Sequence, residues 1–166
     1  FAELELQVER TLDEVDVYAD PARISQVVTN LLTNAAIWTP PGGTITVTVA
    51  RGPDGAEIAV ADTGPGIPED EIPQVFDRFF RGAAAPAGGS GIGLAVAREL
   101  VRAHDGDITV DSRPGRGSRF LIRLPTTTTP SHGAFTESSL PLSSVDLVNS
   151  TTTNRRPEWR SGTRPQ

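Results

Sequence analysis

Residues 57–67 read EIAVADTGPGI, an apolar run that ends on a carboxylate and is followed by Gly64 and Gly66. The run is short, alternating and β-favouring, so it reads as a strand closing on Asp62. Asp-Thr-Gly-Pro-Gly is also good turn chemistry, because Gly accepts positive φ and Pro fixes φ. A simple turn would explain this stretch taken alone. A functional role for Asp62 requires partners elsewhere in the chain.

Immediately upstream, TITVTVA (44–50) is a second strand, joined to EIAVA (57–61) across the GPDG turn. Nearer the start of the chain, LELQVE (4–9) alternates with period two and is expected to be a strand. Asp20-Pro21 combines an N-cap with a first-turn proline, so a helix starts there. Ile24, Val27, Val28, Leu31, Leu32 and Ala35 then recur at helical spacing, and Thr39-Pro40-Pro41-Gly42-Gly43 stops the helix. Downstream, a short helix is expected over 69–76. The glycine-rich stretch 82–93 comes next, then a helix to about His104. DITVDS (107–112) and SRFLIRL (118–124) form a hairpin around RPGRG. Helices alternate with mostly antiparallel strands. The expected fold is a two-layer α/β sandwich, a mixed, mostly antiparallel sheet with helices on one face.

The chain has 166 residues, a net charge of −6, no Cys and no Lys. Disulfide and thiolate-metal frameworks are excluded, and no basic footprint for nucleic acid is present. No apolar run reaches the length of a membrane span. The chain begins at Phe1 and reads as a fragment of a longer protein. Composition shifts after Pro125. Residues 1–125 are expected to form one domain, and 126–166, rich in Ser, Thr and Pro, a disordered tail.

Several features carry chemistry. Asn30 and Asn34 lie one turn apart on the polar side of the first helix, where Asn is a mediocre helix former. They are either solvated amides or oxygen ligands for a hard cation and phosphates. GGSGIGL (88–94) opens a helix, where glycines and unpaired N–H groups suit an anion. The spacing is neither a Rossmann fingerprint nor a Walker A loop. IPQVFDRFFRG (72–82) packs Phe76, Phe79 and Phe80 into five residues just before the Gly/Ala/Pro stretch, as core filler or as the hinge of a lid.

Together, NLLTNA (30–35), DTGPGI (62–67), FDRFFR (76–81) and GGSGIGLAV (88–96) stand in an order that resembles the ATP-binding (HATPase, Bergerat-type) domain of bacterial sensor histidine kinases. The wider family includes gyrase, heat-shock chaperone ninety and mismatch-repair ATPases. The resemblance covers residues 3–125 and leaves out the tail. It implies that Asp62 accepts a hydrogen bond from the adenine amine, and that Gly64 and Gly66 let the backbone pass close to the base. It implies Asn34 as the Mg²⁺ ligand, Asn30 as the catalytic residue near the γ-phosphate, and Trp38 as the ring flanking the nucleotide. Gly89, Gly91 and Gly93 would shape the phosphate loop, with 82–90 as an ATP lid. Ile67, Phe80, Arg81, Ser90, Ile92 and Leu94 stand inside the same motifs and complete the nucleotide contacts. Where the family often has Lys, this chain has Ile37; Arg81 is the alternative cation.

Family members that hydrolyse ATP carry Glu at the position of Asn30. Asn has no titratable base at neutral pH, which favours phosphoryl transfer to a reactive acceptor. The resemblance implies ATP and Mg²⁺ as ligands, a histidine on a separate dimerisation hairpin as acceptor, a response regulator downstream, and a cytoplasmic location with no membrane insertion by this fragment. A free-standing serine kinase of the anti-sigma type and a non-catalytic nucleotide-dependent binding module remain as alternatives. The Phe-rich segment and TPPGGTI favour the histidine kinase. His104 and His132 are read as structural or solvated rather than as acceptors.

Overall fold

The computed structural model describes residues 6–83, 85, 89–126 and 139–141. Five strands form one sheet in the order β1-β3-β4-β6-β5: β1 (Gln7–Leu12), β3 (Thr44–Arg51), β4 (Gly55–Asp62), β5 (Asp107–Ser112) and β6 (Ser118–Pro125). The β1–β3 pair is parallel; the other pairs of this sheet are antiparallel. Helices α1 (Pro21–Trp38) and α2 (Gly93–Ala103) pack on each other and on its β4 and β5 strands. The sandwich expected from the alternation of elements is therefore present.

Register places one set of side chains toward the helices. Val49↔Ile58, Ile58↔Ile122 and Ile122↔Ile108 are cross-strand partners, and all four are buried. From α1 the same core receives Ile24, Val27, Val28, Leu31 and Ala35, while Leu32 is only partly buried against it. Burying each of these Ile, Val and Leu side chains contributes about 1.5–3 kcal/mol. The α1 N-terminus is built as its sequence predicts: Asp20 Oδ1 accepts from the N–H groups of Ala22 (2.9 Å) and Arg23 (3.3 Å). At the other end Thr39 is buried, and its hydroxyl donates to the Ala35 carbonyl at 2.6 Å.

Three expectations change. The first strand spans 7–12 rather than 4–9, because its pairing with β3 begins at Gln7↔Thr44; residues 1–5 lie outside the described residues. β1 is an edge strand with every residue exposed, so the alternation that suggested it carries no burial signal for its ends. The helix expected over 69–76 contracts to a 3₁₀ turn at Ile72–Gln74. Pro73 has no N–H to extend it, and the flanking bonds, Val75 N–H to Ile72 O and Asp77 N–H to Gln74 O, are three residues apart. Finally, the segment read as a disordered tail contains a strand. β7 (Ser139–Pro141) pairs antiparallel with β2 (Asp16–Tyr18), itself not foreseen. Residues 127–138 and 142–166 lie outside the described residues. β2 escaped notice because it is only three residues long, although Val15 and Val17 are core residues.

The helices run antiparallel, and His104 locks the end remote from Asp62. Its Nδ1 lies 2.7 Å from the Leu100 carbonyl and its Nε2 lies 3.2 Å from the Asp20 amide nitrogen. These partners require a neutral ring that donates from Nδ1 and accepts at Nε2. One imidazole thus joins the C-terminus of α2 to the start of α1. This geometry bears out the structural reading of His104; His132 lies outside the described residues. His104→Ala should lower the unfolding free energy by about 1–2 kcal/mol, from two lost hydrogen bonds. Urea denaturation checks this, and an unchanged midpoint would show the link to be idle.

Candidate functional site

The candidate residues gather at the other end of the sandwich, where β4 and β5 end, β6 begins, α1 finishes and α2 starts. Asp62 is the last residue of β4 and sits opposite Ser118 in register. It is buried, and Oδ1 accepts from Gly64 N–H at 2.8 Å and Ser118 N–H at 3.3 Å. Both bonds fall on one oxygen, so Oδ2 keeps its acceptor capacity. Burial raises the Asp62 pKa above the usual carboxylate value, against the opposing pull of the Gly64 and Ser118 amides.

Gly64 shows why a side chain is excluded there. A Cβ would stand 2.7 Å from the Trp38 carbonyl oxygen and 2.8 Å from Asp62 Oδ1. Thus Asp62, Gly64 and the end of α1 at Trp38 form one packed corner. Gly66 has a reason of its own within the fold. Its φ is +74°, and a Cβ would fall 2.1 Å from the Arg113 carbonyl. The β5–β6 turn therefore supports the loop after β4. Ser112 Oγ accepts from Ile67 N–H at 2.8 Å and donates to the Gly117 carbonyl at 2.9 Å, and Gly115 N–H reaches the Pro65 carbonyl at 2.7 Å. Ser112, Ser118 and the Arg113–Gly117 turn are legible in the sequence only as parts of a hairpin, not as support for the site. Their signal is the RPGRG turn bracketed by two serines, and nothing local connects it to residues 62–67.

The second group lies where α1 meets the start of α2. Asn30 Nδ2 donates to the Gly93 carbonyl at 3.0 Å. The acceptor requires the NH₂ face, so the amide oxygen of Asn30 is left for other donors or a cation. Asn34 lies one turn further on and is half-buried. Ile37 is 53% exposed. Trp38 stands eight residues after Asn30, about 12 Å along the helix axis. Two chemically different corners are thereby linked by one helix: a buried carboxylate at one, amides and a helix N-terminus at the other.

The loop between them is anchored on the Phe-rich segment. Gly91 has φ +67°, and a Cβ there would meet the backbone of Phe79 and Phe80 at 2.7–2.9 Å. Phe79 N–H donates to the Gly91 carbonyl at 2.9 Å. Ser90 Oγ accepts from Ile92 N–H at 3.4 Å, and Leu94 packs against the core. At the other end of the loop, Glu71 Oε1 accepts from Ala83 N–H at 3.0 Å, a contact without a sequence signal. Arg81 lies toward the glycines: a Cβ on Gly89 would be 4.0 Å from its Nε. The three phenylalanines divide. Phe76 is core, Phe80 is partly buried, and Phe79 is 72% exposed. Of residues 82–90, positions 84 and 86–88 lie outside the described residues.

Residues 19–128 match the family described as histidine kinase-, DNA gyrase B- and HSP90-like ATPases. The chain belongs to this family. It is 47% identical over 115 residues to the signal transduction histidine-protein kinase/phosphatase MprB of Mycobacterium sp. (strain KMS), covering 66% of this chain and 22% of that protein. It is 45% identical over 116 residues to the probable sensor histidine kinase TcrY of Mycobacterium tuberculosis, covering 68% of this chain and 24% of that one. The chain therefore spans about a quarter or less of these curated relatives. Among solved structures, a mycobacterial sensor histidine kinase MprB superposes with a TM-score of 0.68 at 38% identity, covering 73% of this chain and 84% of that one. The catalytic domain of histidine kinase ThkA superposes at 0.67 with 29% identity, covering 76% and 84%. The fold is thus the ATP-binding fold of histidine kinase catalytic domains. Among the described residues no helix is long and apolar enough to cross a membrane.

The burial of Asp62 predicts a pH dependence. A raised pKa means that the folded chain holds this proton more tightly than the unfolded chain. Its contribution to stability is full below the ordinary value of 3.8 and is lost as pH rises through the folded value. Asp62→Asn does not titrate. Parallel urea melts should therefore shift in favour of the Asn variant as pH rises across that window, then run level. A constant difference would show that the two amides cancel burial, and a shift in the opposite direction that they outweigh it.

Proposed function

We propose that this chain is the ATP-binding catalytic domain of a two-component sensor histidine kinase, delivering the γ-phosphate of ATP to a histidine on a separate dimerisation hairpin. The observation that carries this reading is Asp62, a buried carboxylate with one oxygen committed to the fold and the other able to accept. An exocyclic amine fits that acceptor. Guanine carries a carbonyl oxygen at the corresponding position, which a carboxylate repels, so adenine is selected. Gly64 keeps the backbone low beside it, and Trp38 supplies a ring next to the base.

From this corner α1 leads to Asn34 and Asn30, a span suited to an elongated ligand with a base at one end and phosphates at the other. Asn34 offers a single neutral oxygen, consistent with a Mg²⁺ ion that takes its remaining ligands from phosphates and water. No group of three His, Cys, Asp or Glu side chains among the described residues is arranged to hold an ion by itself. Bound Mg²⁺ would neutralise charge on the β- and γ-phosphates. Asn30 would act at the end of the triphosphate through its amide oxygen, which only accepts and so reaches an anionic phosphate by way of a bound cation or a water, and the Gly91–Gly93 turn presents N–H groups at the α2 N-terminus, where the helix dipole favours anions. Asn30 cannot take a proton from water, so the acceptor must itself be nucleophilic, as a neutral imidazole is. Under this reading the domain works in the cytoplasm and a response regulator receives the phosphoryl group from the histidine.

The test combines the chain with a histidine-bearing hairpin domain and γ-labelled ATP. Acid-labile label on the hairpin is expected, and none on the chain alone. Acid-stable label on serine would instead indicate a serine kinase, and no transfer despite ATP binding a nucleotide-dependent binding module. Asp62→Asn removes a hydrogen bond to a charged acceptor, worth about 1.5–3 kcal/mol, so ATP affinity should fall by about one to two decades. Equal affinity by calorimetry would rule out the adenine contact.

Ile37 lies three residues after Asn34 and shares its helical face. Being 53% exposed, it can be replaced without opening the core. Ile37→Lys should tighten ATP·Mg²⁺ binding by a few-fold, the roughly 0.5–1 kcal/mol of a partly solvated ion pair. The gain should shrink with added salt and be smaller for AMP. No gain at low salt would mean that this face of α1 does not look on the phosphates.

A further inference from the structure

Arg98 lies on α2, five residues beyond Gly93, outside the four motifs that mark the site. Its guanidinium carbon stands 5.5 Å from the centre of the Phe76 ring. Its Nη2 lies 3.8 Å from Asp77 Oδ1. Its Nε is buried without a hydrogen-bond partner among the described residues. A head group that leaves one N–H unpaired is held by its other contacts, here a ring face and a carboxylate on adjacent residues. Phe76 in turn meets Phe120 edge to face, with centroids 6.1 Å apart and planes at 87°. Phe120 is 2% exposed, so the Phe76 ring is braced from the sheet by Phe120 and also meets the Arg98 guanidinium.

The clamp bears directly on Phe79. This residue, three after Phe76, has φ +66°, a left-handed backbone that a bulky residue adopts only under constraint. In that conformation its N–H reaches the Gly91 carbonyl, and Gly91 lies directly on the Phe79–Phe80 backbone. Gly91 and Gly93 form the turn that opens α2. The position of that turn therefore depends on a strained residue whose near neighbours are pinned by Arg98.

We infer that Arg98 is a positioning residue for the phosphate-side turn: by gripping Phe76 and Asp77 it holds Phe79 in its left-handed conformation and so sets the Gly91–Gly93 N–H groups. The inference rests on the nucleotide reading of the site. Arg98 itself need touch no ligand; it acts through the Phe-rich segment on the turn.

The consequence is selective. Adenine recognition at Asp62 rests on β4 and β6 and is independent of this linkage. Losing the clamp should weaken only ligands long enough for their β- and γ-phosphates to reach the turn. Arg98→Met keeps the stem and removes the cation. In calorimetry with Mg²⁺, it should bind adenosine and AMP as wild type does, and ADP and ATP about three- to tenfold more weakly, the range expected for loss of a partly desolvated cation–π contact. Phe76→Leu removes the ring at constant charge and should show the same gradation. This second variant separates positioning from simple charge attraction and serves alone if Arg98→Met does not fold. Arg98→Lys should recover only part of the loss.

Unchanged ATP affinity in a folded Arg98→Met or Phe76→Leu, or an equal loss for all four ligands, overturns the positioning role. Full recovery in Arg98→Lys together with a silent Phe76→Leu would reduce Arg98 to a remote charge and overturns it as well. Wild-type chain that fails to bind ATP at all overturns the functional reading and this inference with it, whereas a normal wild type beside an unaffected variant removes this inference alone.

Discussion

Two hydrogen-bonded contacts at opposite ends of the α1–α2 pair set the geometry on which the site depends. At one end His104 ties the close of α2 to the amide of Asp20; at the other Asn30 holds the carbonyl of Gly93. Between them lies apolar packing from Val27, Val28 and Leu31 on α1 and Ala97 and Val101 on α2. Apolar packing is non-directional and tolerates small slides. The polar contacts are directional and fix where α2 begins relative to α1. Asn30 is thus both part of the fold and part of the candidate phosphate corner, a double use that its two-faced amide makes possible.

A second constraint operates at the end of β4. Burying Asp62 is unfavourable to its charged form, and the fold accepts this by turning the amides of Gly64 and Ser118 onto one oxygen. The loop after β4 cannot hold itself in place. It leans on the β5–β6 turn through Ile67, Ser112 and the contact of Gly66 with Arg113. Glycine is required at Gly64, Gly66 and Gly91 by neighbouring backbone or carboxylate atoms of the protein itself. Each allows an approach that a single Cβ would block.

The Phe-rich segment joins these parts. Phe76 enters the core beside Phe120, Phe79 contributes its backbone to Gly91, and Glu71 receives the amide of Ala83. The segment therefore fixes both flanks of the glycine-rich loop. Its neighbour Pro73 prevents the regular helix that residues 69–76 would otherwise extend, which leaves the chain free to place Phe79 at positive φ.

Much of this protein was legible from its sequence. The helical stripe of α1, its Asp20-Pro21 start, the strands β3 and β4 and the hairpin β5–β6 all follow from local rules: period, capping and turn chemistry. The order of four motifs pointed to the family, because each motif is short and contiguous. Other features depended on residues brought together only by folding. β1 took its boundaries from pairing with β3. β2 and β7 are three residues each, too short for a period to register, and exist through each other. Ser112 supports Ile67 across 45 positions of sequence, and Arg98 grips Phe76 from another element. Local propensity acts over a few neighbouring residues and can be read along the chain. Contacts between elements are chosen by packing and register, and only the tertiary structure decides them.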